Sequence, residues 1–465
     1  MTMERIQTTT PADSPVAPPG AGTEGAPRLT TWAGQSTSGA ARFVRMTLGP
    51  LLLMVITPPA AIVFWIVCTH LDGSLLRLFS AQGLHTAVER FPAPTWTAAA
   101  LLATFLLVEL VLLLVLPGRV YEGPLSPTGA RPRYKLNGVA AFFVTLALFL
   151  GASYGAHLFD AGIVWDHFGA VLSTIIAFAF VFCLGLYFKG IHAPSTGDAS
   201  RTGNFVFDYY WGTELHPSVL GVNLKQLINC RFGMMGWAVI IVSFAAKQAS
   251  LNHGHPTNAM LVCVGLQLVY ILKFFYWESG YFTSLDIMHD RFGYYICWGV
   301  MCWIAAVYTL SAQYLVLRPI EISTPYAIFC VALGLAAIWA NYEADAQRQR
   351  TRATNGAAPV WGKAPVVIRA KYRTADGAEH ESLLLASGYW GVARHFHYVP
   401  EILLALAWAL PAGASGFVPY FYVTFLTILL LDRSVRDDKR CRTKYGADWD
   451  AYCAKVPYKV IPGVF

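Results

Sequence analysis

Apolar blocks of near-spanning length recur from residue 48 to residue 431, and a chain built this way has few folds open to it. They are Leu48–Cys68, Thr97–Leu116, Gly138–Leu158, Phe168–Phe188, Phe232–Ala246, Ala259–Tyr276, Phe292–Leu310 and Tyr326–Ala340. A last pair lies within Glu401–Leu431, broken at Pro411–Gly416. A helix needs about 20 apolar residues to cross a bilayer, and fewer where it borders a cavity. Charged residues are only 13% of the chain, against about a quarter in a soluble domain. The expectation is an all-α polytopic membrane protein with about ten transmembrane helices, the last pair short.

Charge distribution tests that expectation. The net charge of +7 gathers in loops beside the apolar blocks, a distribution that the positive-inside rule explains and nucleic-acid binding does not. With the N-terminal tail in the cytoplasm, an even helix count puts Arg119–Lys135, Arg348–Arg373 and the basic stretch after Leu431 on one side. The loops holding Asp160, Asp166, His253 and His255 then fall on the other. The nine cysteines are scattered singly, without a CxxC pair, so neither a zinc site nor a disulfide framework is expected.

Residues 1–40 are rich in Pro, Ala, Gly, Ser and Thr and read as a disordered tail without a cleaved leader. Val366–Leu385 alternates around Thr374-Ala375-Asp376-Gly377, the signal of a small hairpin. It falls on the expected cytoplasmic side.

Polar residues inside or beside the spans are costly and carry the candidate chemistry. Glu109 interrupts the second span without a partner nearby in sequence, and a carboxyl facing other helices accounts for it. Tyr270, Phe274 and Glu278 fall at four-residue steps, so one helix face could present a phenol and a carboxyl together. Interfacial tyrosine belts are the competing explanation. Asp286, His289, Asp290 and Arg291 cluster in a short linker, where solvated interface charge is a better reading than a metal site. Arg348 and Arg352 share a face if the eighth helix continues past the bilayer, and paired guanidiniums suit a phosphate; a positive-inside anchor explains much of the same segment.

Two later segments point to a ligand more directly. In Ser387–Glu401 two glycines bracket Tyr389 and Trp390, and then Arg394, His395, His397, Tyr398 and Glu401 lead into a span. Glycine permits close approach, Trp390 can stack, and Arg394 can pair with phosphate. The C-terminal stretch combines Arg433, Arg436, Asp437, Lys439, Arg440 and Lys444 with Tyr445, Trp449, Tyr452 and Tyr458. So many aromatics in a basic tail read as a folded helical cap over a planar polyanion. Neither GxGxxG nor GxxxxGK[ST] is present to supply a dinucleotide site of a standard kind.

At these residues the chain resembles the sterol C14/C7/C24 reductase family, which includes the membrane half of the lamin B receptor. Leu384–Glu401 is similar to the family signature LLxSGWWGxxRHxNYxxD, with Tyr389, His397 and Glu401 as departures. HFHYVPE is the form seen in plant-type Δ7-sterol reductases. Gly212–Pro217 resembles GxELxPR with Ser218 in place of Arg, and Asn229–Met235, Phe244–Gln248, Asp286–Gly293, Arg352–Gly356 and Arg440–Tyr458 are similar to the same branch.

The resemblance implies a sterol reductase membrane domain over residues 41–465, with residues 326–465 forming an NADPH pocket beside a sterol pocket open to the bilayer. It implies cofactor contacts at Arg348, Arg352, Trp390, Arg394, His395, Tyr398, Arg433, Asp437, Tyr445 and Tyr452, and a tyrosine near the reacting bond at Tyr270. The acid that protonates the alkene would be Tyr270 relayed to Glu278, or a carboxylic acid kept neutral by apolar surroundings, with Asp437 or Glu401 completing the relay, and hydride from NADPH would follow. The reaction expected is reduction of C7=C8 in a Δ5,7-sterol, in the endoplasmic reticulum of a eukaryote or the inner membrane of a bacterium, with the site facing the cytoplasm. Δ14 or C24 reduction stays open, as do a membrane methyltransferase and a non-catalytic sterol binder. The partners expected are the sterol and membrane lipids, with no nucleic acid.

Overall fold

A computed structural model describes residues 39–465 apart from 127–128, 374–377 and 415. The tail expected over residues 1–40 lies almost wholly outside the described residues, as does the turn Thr374–Gly377. Eight described helices are long and apolar enough to span: α1 (Gly39–His70), α2 (Trp96–Val115), α3 (Gly138–Gly155), α4 (Phe168–His192), α5 (Gln226–Leu251), α6 (Asn258–Tyr276), α8 (Thr324–Ala353) and α10 (Val418–Tyr445). A ninth, α7, is the pair Tyr294–Tyr308 and Leu310–Val316, bent by 40° at its break. The tenth expected span is the short apolar helix α9 (Tyr398–Ala412), followed by an irregular segment in which Gly413 takes φ +70°. The architecture is that of a polytopic membrane protein, and the difference from ten full spans lies in α7 and α9.

Local chemistry sets several boundaries. The Thr95 and Thr257 hydroxyls accept from the backbone N–H groups of Ala98 and Met260, capping α2 and α6. Helix α5 starts six residues before its apolar block, because its first turns are buried in protein and not in lipid: Gln226, Asn229 and Arg231 are all within 3% of full burial. Arg231 sits at the heart of a polar knot. It donates to Glu278 Oε1 at 2.6 Å and to Asn137 Oδ1 at 2.8 Å. Asn137 in turn donates to the carbonyls of Leu112, Leu113 and Leu116 at the end of α2, and Glu278 Oε2 accepts from the Gly138 N–H that opens α3. Four helix ends are thereby joined through groups that would otherwise be orphaned. Glu109, fully buried, finds its partner on the next helix, accepting from Thr145 Oγ1 at 2.6 Å.

Among the described residues three antiparallel hairpins connect helices: β1–β2 (Arg119–Glu122, Arg133–Leu136), β3–β4 (Ser218–Val219, Val222–Asn223) and β5–β6 (Val367–Arg373, Glu379–Leu385). The last is the expected hairpin, in the register Val367 to Leu385. After α10, Gly446 reverses the chain at φ +52° and α11 (Ala447–Lys455) folds back. Ala370 and Leu384 from the hairpin and Trp449, Tyr452 and Val456 from the chain end form a small separate core. The expected helical cap is thus a packed layer of β5–β6 and α11.

Candidate active site

One cavity of about 1530 Å³ runs from Leu53 and Phe425 among the spans to Tyr372 and Tyr445 at the cap. Ligand pockets usually hold about 300–1,000 Å³, so this space suits more than one ligand. Its two lengths differ in chemistry: Trp303, Ile304 and Leu429 line the first, while Arg348, Arg352, Arg433, Arg440 and Lys444 line the second.

Two helices are distorted where they meet the cavity. Gln226–Met234 in α5 and Gly299–Tyr308 in α7 are wound as π-helix, a departure that often marks a functional site. At the junction of the two lengths Tyr270 on α6 donates to Glu401 Oε1 on α9 at 2.5 Å. Beside it Lys273 Nζ donates to Asn341 Oδ1, and Asn341 Nδ2 donates to the His397 carbonyl at 3.0 Å. These bonds hold α6, α8 and α9 in register around a paired phenol and carboxyl.

The basic length is built mainly by α8, α10 and the cap. The Arg348 guanidinium lies 4.2 Å from the Trp390 ring centroid and pairs with Asp345 at 2.9 Å. Trp390 is itself fixed by its Nε1 donating to the Ala344 carbonyl at 2.7 Å. Arg440 pairs with Asp437 at 2.7 Å, and Arg433 with Asp286 at 3.1 Å. Arg352 and Lys444 differ: Arg352 Nε reaches only the Leu383 carbonyl at 3.4 Å, and Lys444 lies over the Tyr372 ring at 3.8 Å. Among the described residues neither has a carboxylate within ion-pair distance, so the cavity wall carries uncompensated positive charge beside Trp390, Tyr445 and Tyr452. That donor set fits a planar, phosphorylated cofactor. His395 lies 3.7 Å from Asp437, and burial pushes its pKa down to about 4 in spite of that carboxylate. It is neutral at physiological pH.

The profile of the Ergosterol biosynthesis ERG4/ERG24 family matches residues 45–465. The chain belongs to this family. It is 48% identical to a 7-dehydrocholesterol reductase of Arabidopsis thaliana over 419 residues, 89% of this chain and 96% of the relative. A 7-dehydrocholesterol reductase of Danio rerio is 34% identical over 90% of this chain and 91% of its own length. A Delta(14)-sterol reductase of Methylotuvimicrobium alcaliphilum is 37% identical over 89% and 94%.

In this ERG4/ERG24 member Tyr270, Glu401, Asp437, Arg348, Arg352, Trp390, Arg394, His395, Tyr398, Arg433, Tyr445 and Tyr452 all line the one cavity. Glu278 does not. Its carboxylate is taken by Arg231 and the Gly138 N–H, so the face shared by Tyr270 and Glu278 carries no relay between them. Tyr270 pairs instead with Glu401, 131 residues away.

Arg394 also departs from the expectation of a free phosphate ligand. It donates to the Val456 and Pro457 carbonyls at 2.6 and 2.9 Å and pairs with Asp438 at 3.2 Å, which ties the chain end to the signature segment. Gly388, at φ +62°, closely approaches Gln347: a Cβ there would lie 2.2 Å from Gln347 Oε1. Arg291, expected as solvated charge, is buried and donates to the carbonyls of Ser200, Thr213 and Asp198. Ser218 pairs with Ser195 through its backbone, away from the cavity.

No motif in the sequence marks Tyr308 and Tyr422, which sit inside apolar blocks, or Asn341, which stands one residue past another. Lys273 was visible three residues after Tyr270, but its partner on α8 was not.

Proposed function

We propose that this chain reduces the C7=C8 bond of Δ5,7-sterols with NADPH, taking the sterol from the bilayer and the cofactor from the cytoplasm. The observation that carries the reading is the Tyr270–Glu401 hydrogen bond at the junction of an apolar and an uncompensated basic length of one cavity.

A ring alkene is a poor hydride acceptor until a proton makes it electrophilic. With Glu401 protonated and the observed hydrogen bond reversed, so that Glu401 donates to the phenol oxygen, Tyr270 would give its own proton to one alkene carbon and take the replacement from Glu401. The alkene π pair forms the new C–H bond, and the adjacent ring carbon becomes a cation. The bound cofactor supplies the hydride, with its electron pair, that completes the reduction. Arg352 and Lys444 would hold its phosphates, Arg348 and Trp390 would flank a planar group, and Asp437 would keep Arg440 oriented. The sterol rings would lie along Trp303 and Ile304.

The HFHYVPE segment favours Δ7 over Δ14, as does the higher identity to the Arabidopsis relative than to the Methylotuvimicrobium relative at equal coverage. Labelling tests the mechanism. In D2O with unlabelled NADPH, each product molecule should gain one carbon-bound deuterium, and in H2O the deuterated cofactor should deliver one. Two solvent deuteriums per product would overturn it.

A further inference from the structure

The phenol and carboxyl do not stand alone. Trp237 on α5, Tyr308 at the break in α7, Trp408 on α9 and Tyr422 on α10 form a closed ring of aromatics beside Tyr270. Ring centroids are 5.3 Å apart for Trp237 and Tyr308, 4.4 Å for Tyr308 and Tyr422, 5.7 Å for Tyr422 and Trp408, and 6.0 Å for Trp408 and Trp237. Tyr270 lies 5.8 Å from Trp237 and 5.9 Å from Trp408. Trp237, Tyr308 and Tyr422 line the cavity, and Trp408 packs behind them. Five helices each contribute one ring, and two rings are fixed by hydrogen bonds: Tyr270 to Glu401, and Trp237 Nε1 to Gln267 Oε1 at 2.8 Å.

A pocket shaped only for a flat hydrocarbon is well served by aliphatic side chains. Aromatic faces add a negative quadrupole, which attracts a cation and is strongest where water is excluded. Tyr308 ends the π-helical run of α7, where the helix bends by 40°. The deformation and the ring cluster therefore coincide at the acid.

We propose that Trp237, Tyr308 and Tyr422 stabilise, through their ring faces, the carbocation formed when the ring alkene is protonated. This rests on the reaction proposed above. The proton comes from Tyr270, the cation stands on the neighbouring ring carbon, and it disappears when the hydride arrives. The rings exchange no atom or electron with the substrate.

The test is a series at Tyr308 in the full-length protein. Tyr308→Phe keeps the ring, and mono-, di- and trifluorophenylalanine at the same position withdraw electron density while nearly preserving shape. Log kcat should fall stepwise with fluorine number while KM holds, and Tyr308→Leu should lose about 10- to 30-fold in kcat. Affinity for a sterol analogue bearing a protonated ring amine should fall along the same series, and affinity for the saturated product should not. A flat kcat across the fluorinated series, or equal losses for the charged and neutral ligands, overturns the inference and leaves the reaction standing. If the wild-type protein transfers no hydride to any sterol diene, both fall together.

Discussion

At the residue scale two glutamates have opposite surroundings. Glu401 accepts from Tyr270 at the cavity junction, while Glu278 is sealed against Arg231. Tyr270→Phe and Glu401→Gln should each lower kcat by about 10²- to 10⁴-fold with NADPH affinity unchanged, as measured by single-turnover kinetics and cofactor titration. Glu278→Gln should act on stability, costing about 3–5 kcal/mol because it strands a buried guanidinium. Near-normal turnover per folded molecule, with a lowered Tm in detergent, is the expected pattern. Burial holds His216 down to about 3 and His395 down to about 4. Both are neutral when folded and take up protons more readily when unfolded, so their contribution is whole above about pH 6.5 and is lost as pH falls toward those values. Tm should therefore drop between pH 7 and pH 5, and His395→Gln should flatten part of that slope.

At the scale of elements, α8 and the cap are where anchoring and binding divide. Among the described residues Arg352 and Lys444 have no carboxylate partner, whereas Arg394 is committed to the carbonyls of Val456 and Pro457. Arg352→Ala with Lys444→Ala should raise the Kd for NADPH at least 100-fold, since charge-assisted bonds to phosphate contribute about 1.5–3 kcal/mol each. Arg394→Ala should instead loosen the chain end, visible as earlier proteolysis within α11 in the absence of cofactor. The spans, the hairpin Val367–Leu385 and the Arg348–Arg352 face were legible because each rests on a local period or pattern. The Tyr270–Glu401 bond and the Arg231–Glu278 pair were not, because they join residues far apart whose partners depend on helix packing. The early start of α5 was hidden for a related reason: its polar turns are buried by protein, which hydropathy cannot distinguish from exposure.

At the scale of the molecule, the spans and the cap enclose one space whose apolar and basic lengths meet at the Tyr270–Glu401 hydrogen bond. The direct test is to incubate the purified protein with NADPH and, in parallel, 7-dehydrocholesterol or a Δ14-diene sterol, and to locate the remaining double bonds in each product by mass spectrometry. The expected result is loss of the C7=C8 bond from the first substrate, with C5=C6 intact, and much slower reduction of the second. Preferential reduction of the Δ14-diene, or no reduction of 7-dehydrocholesterol under conditions where NADPH binds, would contradict it.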